Sequence, residues 1–469
     1  MYYERYMNSL CTSSGWASDA SFAASTGCLR GKWNTPPAEP GVILYSHNGS
    51  AITDGGDECR HVLIIGATGT GKSRLVIMPS LIWSLRSESR RSYVVFDVKG
   101  ELRAATESTA RENNYKIINI NFRSPAEGSC WNPFTRANKL YASGNQANRE
   151  KAWRLLEDII AVLFSDGDSQ KNTDPFWRIS CANLFRGICS VLWETRHNIS
   201  INAVLGWSST IPDDSYEDSR CKLFRAADEL PAPSVAHRAL AGFRNGSEKT
   251  RGNVLCCFYG YLSPFSARND VLQMLSSESS VSFKQLGETP SVLYITLPDD
   301  STALGSLEGI LLTQLMQELN ECALENSGRL PVRAEIYLDE LCNIKPAIPS
   351  LETALTISRS RGIRYILAIQ SYAQLCGVYG AAAETISANC STWIAMNIAK
   401  DETFRKKLSE LCGKNELGDP LITPSQLSLL SYEQAIVIRE RCAPYFTRLE
   451  DIGRITRHLT EGHAGSSPA

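Results

Sequence analysis

The run His61-Val62-Leu63-Ile64-Ile65-Gly66-Ala67-Thr68-Gly69-Thr70-Gly71-Lys72-Ser73 constrains this chain more than any other. It couples a short apolar segment, of the kind that becomes a strand buried on both faces, to the pattern G-x-x-x-x-G-K-[ST]. The glycines let the backbone curl until its N–H groups point inward at phosphate oxygens. Gly66, Ala67, Thr68, Gly69, Thr70 and Gly71 would form that cradle for ATP. Lys72 would reach the β- and γ-phosphates, and the Ser73 hydroxyl would ligate Mg²⁺. The apolar stretch Arg74–Trp83 predicts a packed helix whose N-terminus adds a partial positive charge under the phosphates. Pro79 predicts a kink within its first turns.

A second element belongs to the same chemistry. Ala334-Glu335-Ile336-Tyr337-Leu338-Asp339-Glu340 reads as an apolar strand ending in two carboxylates. Asp339 is the candidate metal ligand, through water or Ser73, and Glu340 the candidate base for an attacking water. Neighbouring residues on a strand point to opposite faces, so the chain must bend at the strand's end for both to approach one phosphate. A third strand, Tyr365–Gln370, ends in an amide. In a sheet built around a phosphate-binding loop, Gln370 would face the γ-phosphate and orient water. Arg359, Arg361 and Arg364 precede that strand. They form either a solvated basic turn or an arginine finger offered to a neighbouring subunit.

Further strands are predicted at Gly41–Tyr45, Ser92–Asp97, Tyr115–Ile120, Ser291–Leu297, Thr392–Asn397 and Gln434–Ile438. Helical stretches separate most of them, which implies an α/β fold with a parallel sheet. Between 132 and 287 strand-like runs thin out and helical periodicity takes over, as in Trp153–Phe164 and Phe176–Trp193. The expected division is an irregular leading segment (1–55), a nucleotide-binding domain in two pieces (56–131 and 288–455), an all-α domain (132–287), and a flexible tail (456–469).

The 469 residues, 43% of them hydrophobic, suffice for a sizeable core and more than one domain. A formal net charge of −2 does not announce a nucleic-acid binder, so any DNA contact must come from a local basic surface. The 15 cysteines include no C-x-x-C pair and do not cluster with the six histidines. Reduced, mostly buried thiols of a cytosolic protein are expected, and no zinc site. No stretch approaches the length of an apolar membrane span.

Several runs together resemble one family. Gly15-Trp16-Ala17-Ser18 is similar to its leading segment, and Val95-Phe96-Asp97-Val98-Lys99-Gly100-Glu101-Leu102 to its D-P-K-G-E motif, with Val98 in place of proline. Trp131-Asn132-Pro133-Phe134 resembles the W-N-P-[LF] that precedes a helical insertion, and Asp174-Pro175-Phe176-Trp177 a D-x-F-W within it. Leu338–Ile344 resembles L-D-E-[FL]-x-N-I. Ser358–Arg364, Gln370-Ser371, Gln374-Leu375 and Val378-Tyr379-Gly380 resemble the third motif. On these motifs the chain resembles the conjugative coupling proteins of type IV secretion, the TraG/TraD-like hexameric DNA-translocating ATPases.

The resemblance implies a RecA-like P-loop NTPase motor core with an inserted all-α domain, assembled as a homo-hexamer that binds ATP and Mg²⁺ between subunits. It implies DNA bound without sequence preference, relaxase or relaxosome proteins met through the all-α domain, and type IV secretion channel proteins as partners. By motif position, Lys72 and Ser73 bind phosphate and Mg²⁺, Asp339 holds the metal, Glu340 is the base, Gln370 senses the γ-phosphate, and Arg359 is the finger in trans. Most members carry N-terminal transmembrane helices and this sequence shows none. The expectation is therefore a soluble form, held at the inner face of the membrane through partners or shortened from a longer one. The implied function is an ATP-driven pump of relaxase-bound DNA. The alternative is an ATPase or adaptor that recruits protein substrates without moving DNA.

Overall fold

The computed structural model describes residues 15–464 except 26, 56–59, 166–173, 212–220, 279, 298–304, 345–346, 349–350 and 399. Its centre is a nine-stranded sheet, ordered β12-β11-β10-β4-β9-β8-β5-β7-β6. The strands are β4 (Val62–Ile65), β5 (Ser92–Asp97), β6 (Lys116–Asn121), β7 (Ser291–Thr296), β8 (Ala334–Leu338), β9 (Ile363–Ile369), β10 (Thr392–Ala395), β11 (Gln434–Arg439) and β12 (Tyr445–Arg448). From β10 to β6 all neighbours are parallel, whereas β11 and β12 join antiparallel at one edge. The expected α/β sheet is therefore present, with an antiparallel margin.

Strand alternation divides the core in two. Leu63, Ile65, Val94, Phe96, Ile336, Leu338, Leu367 and Ile369 pack into one apolar cluster. Their neighbours Val62, Ile64, Tyr93, Val95, Tyr337, Ile366 and Ala368 pack into the other. Every residue of β4, β5, β7, β8 and β9 is buried, as a parallel sheet covered on both faces requires.

The second cluster is covered by helix α1 (Met78–Leu85), helix α2 (Glu101–Glu112) and a small antiparallel sheet ordered β1-β3-β2. That sheet comprises β1 (Leu29–Lys32), β2 (Ile43–His47) and β3 (Ser50–Thr53), so the leading segment is not irregular as the sequence suggested. β2 and β3 turn at Asn48 and Gly49, whose φ angles of 49° and 75° suit a tight hairpin. Trp33, edge-on to Trp83 with ring centroids 5.1 Å apart, fastens the sheet to α1.

The first cluster extends into the helices between β6 and β7, and among the described residues of that stretch there is no strand. The longest there are α3 (Gln146–Leu163), α4 (Pro175–Glu194) and α5 (Glu248–Ser266). Asp174 caps α4 by accepting from the Phe176 N–H at 3.0 Å, with Pro175 in the first turn. Although the helical stretch separates β6 and β7 in sequence, the two pair in register from Lys116↔Ser291 to Asn121↔Thr296.

Two more helices pack into the first cluster: α6 (Gly305–Glu325), which follows β7, and α7 (Leu351–Ser358), which precedes β9. A last helix, α8 (Ile452–Ala464), corrects the expectation of a flexible tail from 456. Ile452, Ile455 and Leu459, at helical spacing, pack on the second cluster, with Ile455 fully buried. Residues 465–469 lie outside the described ones.

Arg364 is not part of a solvated turn. It is buried in a charge cluster at the N-terminal end of the sheet, paired with Asp54 and 3.7 Å from Glu335, which Arg91 also reaches at 2.8 Å. Charges removed from water persist only when so compensated.

Candidate active site

The C-terminal ends of the parallel strands gather the polar residues. β4 runs into the loop at Gly66, β8 into Asp339, β9 into Gln370, and β5 ends at Asp97. The Gly66 N–H donates to the Ile369 carbonyl at 3.2 Å and the Ala67 N–H to that of Asn397 at 3.2 Å, which pins the loop between β9 and β10. Gly69 and Gly71 adopt φ of 80° and 91°, conformations that side chains resist. The helix after the loop starts as a π-helical turn, Lys72–Ile77, and becomes α-helical at Met78. The change of helix type falls just before Pro79, at the Ile77–Met78 junction. Pro79 falls in the first turn of α1, where its missing N–H costs little.

Lys72 is buried, with Nζ donating to the carbonyls of Gly66 at 2.7 Å and Ala67 at 3.3 Å. Burial lowers its pKa, opposed by the carboxylates of Asp339 and Glu340. The Ser73 hydroxyl donates to Asp339 Oδ2 at 2.9 Å. Asp339 Oδ1 is buried and has no hydrogen-bond partner among the described residues. Burial raises the Asp339 carboxyl to about 6, against the lowering effect of the Ser73 hydroxyl. A carboxylate oxygen left unpaired beside a hydroxyl suits a hard divalent cation, and the pair fits Mg²⁺.

Glu340 takes a left-handed conformation, φ 66° and ψ 50°. This bend lets two consecutive carboxylates reach one space. Asn343 donates from its side chain to Glu340 Oε2, and Gln374 donates to Asn343 Oδ1 at 3.4 Å. Ser73, Asp339 and Glu340 line a small cavity with Asp97, Val98, Lys99, Glu101 and Leu102.

The sequence had placed Asp97-Val98-Lys99-Gly100-Glu101 in a motif without giving it a task. Asp97 ends its strand as Asp339 does, and that shared position was the available signal. Its carboxylate accepts from the Arg103 N–H at 2.8 Å, and its pKa is raised by burial and lowered by the backbone N–H groups around it. Arg123 donates to the carbonyls of Val98 at 3.1 Å and Lys99 at 3.3 Å, holding the loop from the other side.

Gln370 lies one residue beyond Ile369, on the strand between those of the phosphate loop and Asp339. Arg359 is exposed in the turn between α7 and β9, four residues before β9 begins, and so beyond the end of that strand opposite to Gln370. The structure therefore brings together Lys72, Ser73, Asp339, Glu340 and Gln370, and separates Arg359 from them.

A phosphate loop, a carboxylate pair and a long helical insertion in one sheet define a P-loop NTPase of the RecA-like kind. Residues 17–417 match the family described as Type IV secretory system Conjugative DNA transfer, and the chain belongs to it. It is 22% identical over 449 residues to Protein VirD4 of Agrobacterium fabrum (strain C58), covering 90% of this chain and 63% of VirD4. This chain thus spans less than two thirds of that relative's length. Among solved structures it is similar to the plasmid coupling protein TrwB in complex with the ATP analogue ADPNP, with a TM-score of 0.59 and 20% identity over 84% of this chain and 86% of that one. TrwB in complex with ADP and Mg²⁺ gives 0.56 and 18%, over 84% and 85%. Among the described residues no helix is long and apolar enough to cross a membrane, and the thirteen described cysteines are all free thiols.

Proposed function

We propose that this chain is an ATP-hydrolysing coupling protein that recruits relaxase-bound DNA and drives it toward a type IV secretion channel. The observation that carries the reading is the Ser73–Asp339 contact beside Lys72, with Asp339 Oδ1 unpaired, in a chain of the conjugative transfer family. That TrwB has been seen with ADPNP and with ADP and Mg²⁺ supports ATP and Mg²⁺ as the ligands here.

In this reading the loop N–H groups from Gly66 to Gly71 cradle the phosphates, and Lys72 exchanges its carbonyl contacts for phosphate oxygens. Ser73 and Asp339 would hold Mg²⁺, which supplies positive charge against the β- and γ-phosphates. Glu340 takes the proton of the attacking water, and Gln370 orients that water. Arg359, at the far end of β9, serves a neighbour's nucleotide in a ring of identical subunits. Residues 132–287 form the domain that meets relaxosome proteins, while 56–131 and 288–455 form the motor.

DNA-stimulated ATP turnover is the test. The assembled protein should hydrolyse ATP faster with DNA, and salt should remove the stimulation before basal turnover, since phosphate contacts release counterions. Turnover indifferent to DNA at low salt would favour a substrate made of protein.

A further inference from the structure

The side of the phosphate loop away from Asp339 carries residues that the hydrolytic chemistry does not use. In the sheet, β9 and β8 lie on one side of β4, and β10 and β11 on the other. A triphosphate whose terminal phosphate sits at Ser73 and Asp339 must send its ribose and base toward β10 and β11. There the chain 428–433, leading into β11, folds against the loop. Asn397, whose carbonyl accepts from the Ala67 N–H, donates from its side chain to the carbonyl of Leu430 at 2.8 Å. Tyr432 follows.

Tyr432 is an exposed large aromatic, with 44% of its surface accessible. Its ring abuts the loop so closely that a Cβ on Gly71 would stand 2.9 Å from it. The ring is also fixed: its hydroxyl donates to Asp451 Oδ2 at 3.1 Å. Asp451 in turn accepts from Arg74 Nε at 2.8 Å and Nη2 at 2.7 Å, a two-pronged pair. Arg74 directly follows Ser73. An oriented phenol ring and a clamped, planar guanidinium therefore flank the exit of the loop. Neither is needed by the fold as core, and exposed apolar rings held rigid by hydrogen bonds are suited to stacking on bases.

We propose that Tyr432, oriented by the Arg74–Asp451 pair, is the platform on which the nucleobase stacks. The inference rests on the nucleotide reading above and extends it to the base. Stacking reads the face of a base and not its hydrogen-bonding edge, so ATP and GTP are held alike.

Calorimetric titration of the full chain with Mg-ATP, Mg-GTP and Mg-tripolyphosphate tests this. Replacing Tyr432→Ala should weaken both nucleotides about tenfold, roughly 1.4 kcal/mol, while leaving tripolyphosphate unchanged. Tyr432→Phe, which keeps the ring but loses its tether to Asp451, should bind both nucleotides more tightly than Tyr432→Ala and less tightly than the parent, again with tripolyphosphate unchanged. Unaltered ATP affinity in Tyr432→Ala, or an equal loss for tripolyphosphate, overturns the proposal. Lys72→Ala separates the two levels, since it should lose tripolyphosphate as well as ATP. A parent chain that binds neither ligand overturns the nucleotide reading and this inference with it.

Discussion

The Ser73 hydroxyl donates to Asp339 Oδ2 across 2.9 Å, joining residues 266 positions apart in the chain. The contact exists because β9 alone separates β4 from β8, so two strand ends open onto one space. It leaves the second carboxylate oxygen turned inward without a partner. Two of the groups expected to hold a metal are thus aligned by the fold itself.

Lys72→Ala should lower ATP turnover by about 10²–10³-fold, the scale of losing one preorganised charge contact. The ammonium is already inside the loop, on the Gly66 and Ala67 carbonyls, so its removal deletes a positioned charge. Circular dichroism should show the fold intact. Turnover equal to the parent would remove the basis for assigning the loop.

Glu340→Gln should keep ATP binding and slow hydrolysis by roughly 10²–10⁴-fold, because the amide cannot accept a proton. Its shape still accommodates the Asn343 contact. Asp339→Asn should instead raise the Mg²⁺ requirement. If Glu340→Gln turned over normally while Asp339→Asn did not, the two carboxylates would have exchanged roles.

Arg359→Ala should impair only the assembled protein, since the residue stands at the end of β9 away from its own subunit's site. Mixing Arg359→Ala subunits with Lys72→Ala subunits should restore part of the turnover. Mixed assemblies of verified composition with no recovery would argue against a finger acting across an interface.

His61 gives a pH prediction. The Tyr365 N–H donates to its Nδ1 at 3.0 Å, so Nε2 must carry the hydrogen and donate to the Leu355 carbonyl at 2.8 Å. The neutral ring is satisfied on both sides, and burial lowers its pKa to about 4. The unfolded chain, titrating near 6.5, binds the extra proton first as pH falls. Stability from this group is therefore complete above about pH 6.5 and lost progressively toward pH 4, by up to roughly 3 kcal/mol. Urea unfolding at pH 7 and pH 5 should show the drop in the parent and a smaller one in His61→Phe. An equal drop in both would assign the acid sensitivity elsewhere.

The parallel sheet was legible because its strands are buried on both faces and read as unbroken apolar runs. Lys72, Ser73, Asp339 and Glu340 stood out because strand ends were followed by charged or hydroxylated residues at motif spacing. Leu29–Lys32 was missed because Leu-Arg-Gly-Lys has little strand propensity of its own and is held by packing on β3. The Asn48-Gly49 hairpin signal, by contrast, was there to be read. Arg364 looked like part of a basic turn because its partners Asp54 and Glu335 are distant in sequence. Tyr432 and Asp451 were invisible for the same reason, since nothing local says that a loop near the C-terminus closes over residue 71.

The strand order has a consequence for how the chain is made. β5 and β6 are synthesised early and in succession, yet they do not touch, because β7 lies between them. Until residue 296 has left the ribosome, each presents an open edge of unpaired backbone groups, the surface that recruits other strands. The whole helical stretch is translated during that interval, and its helices are rich in local contacts that form quickly. Closing the gap between β5 and β6 therefore waits on β7, and the parallel part of the sheet is complete only once β8, β9 and β10 have followed it, so nascent chains halted before β7 should depend on chaperones more than the full-length chain.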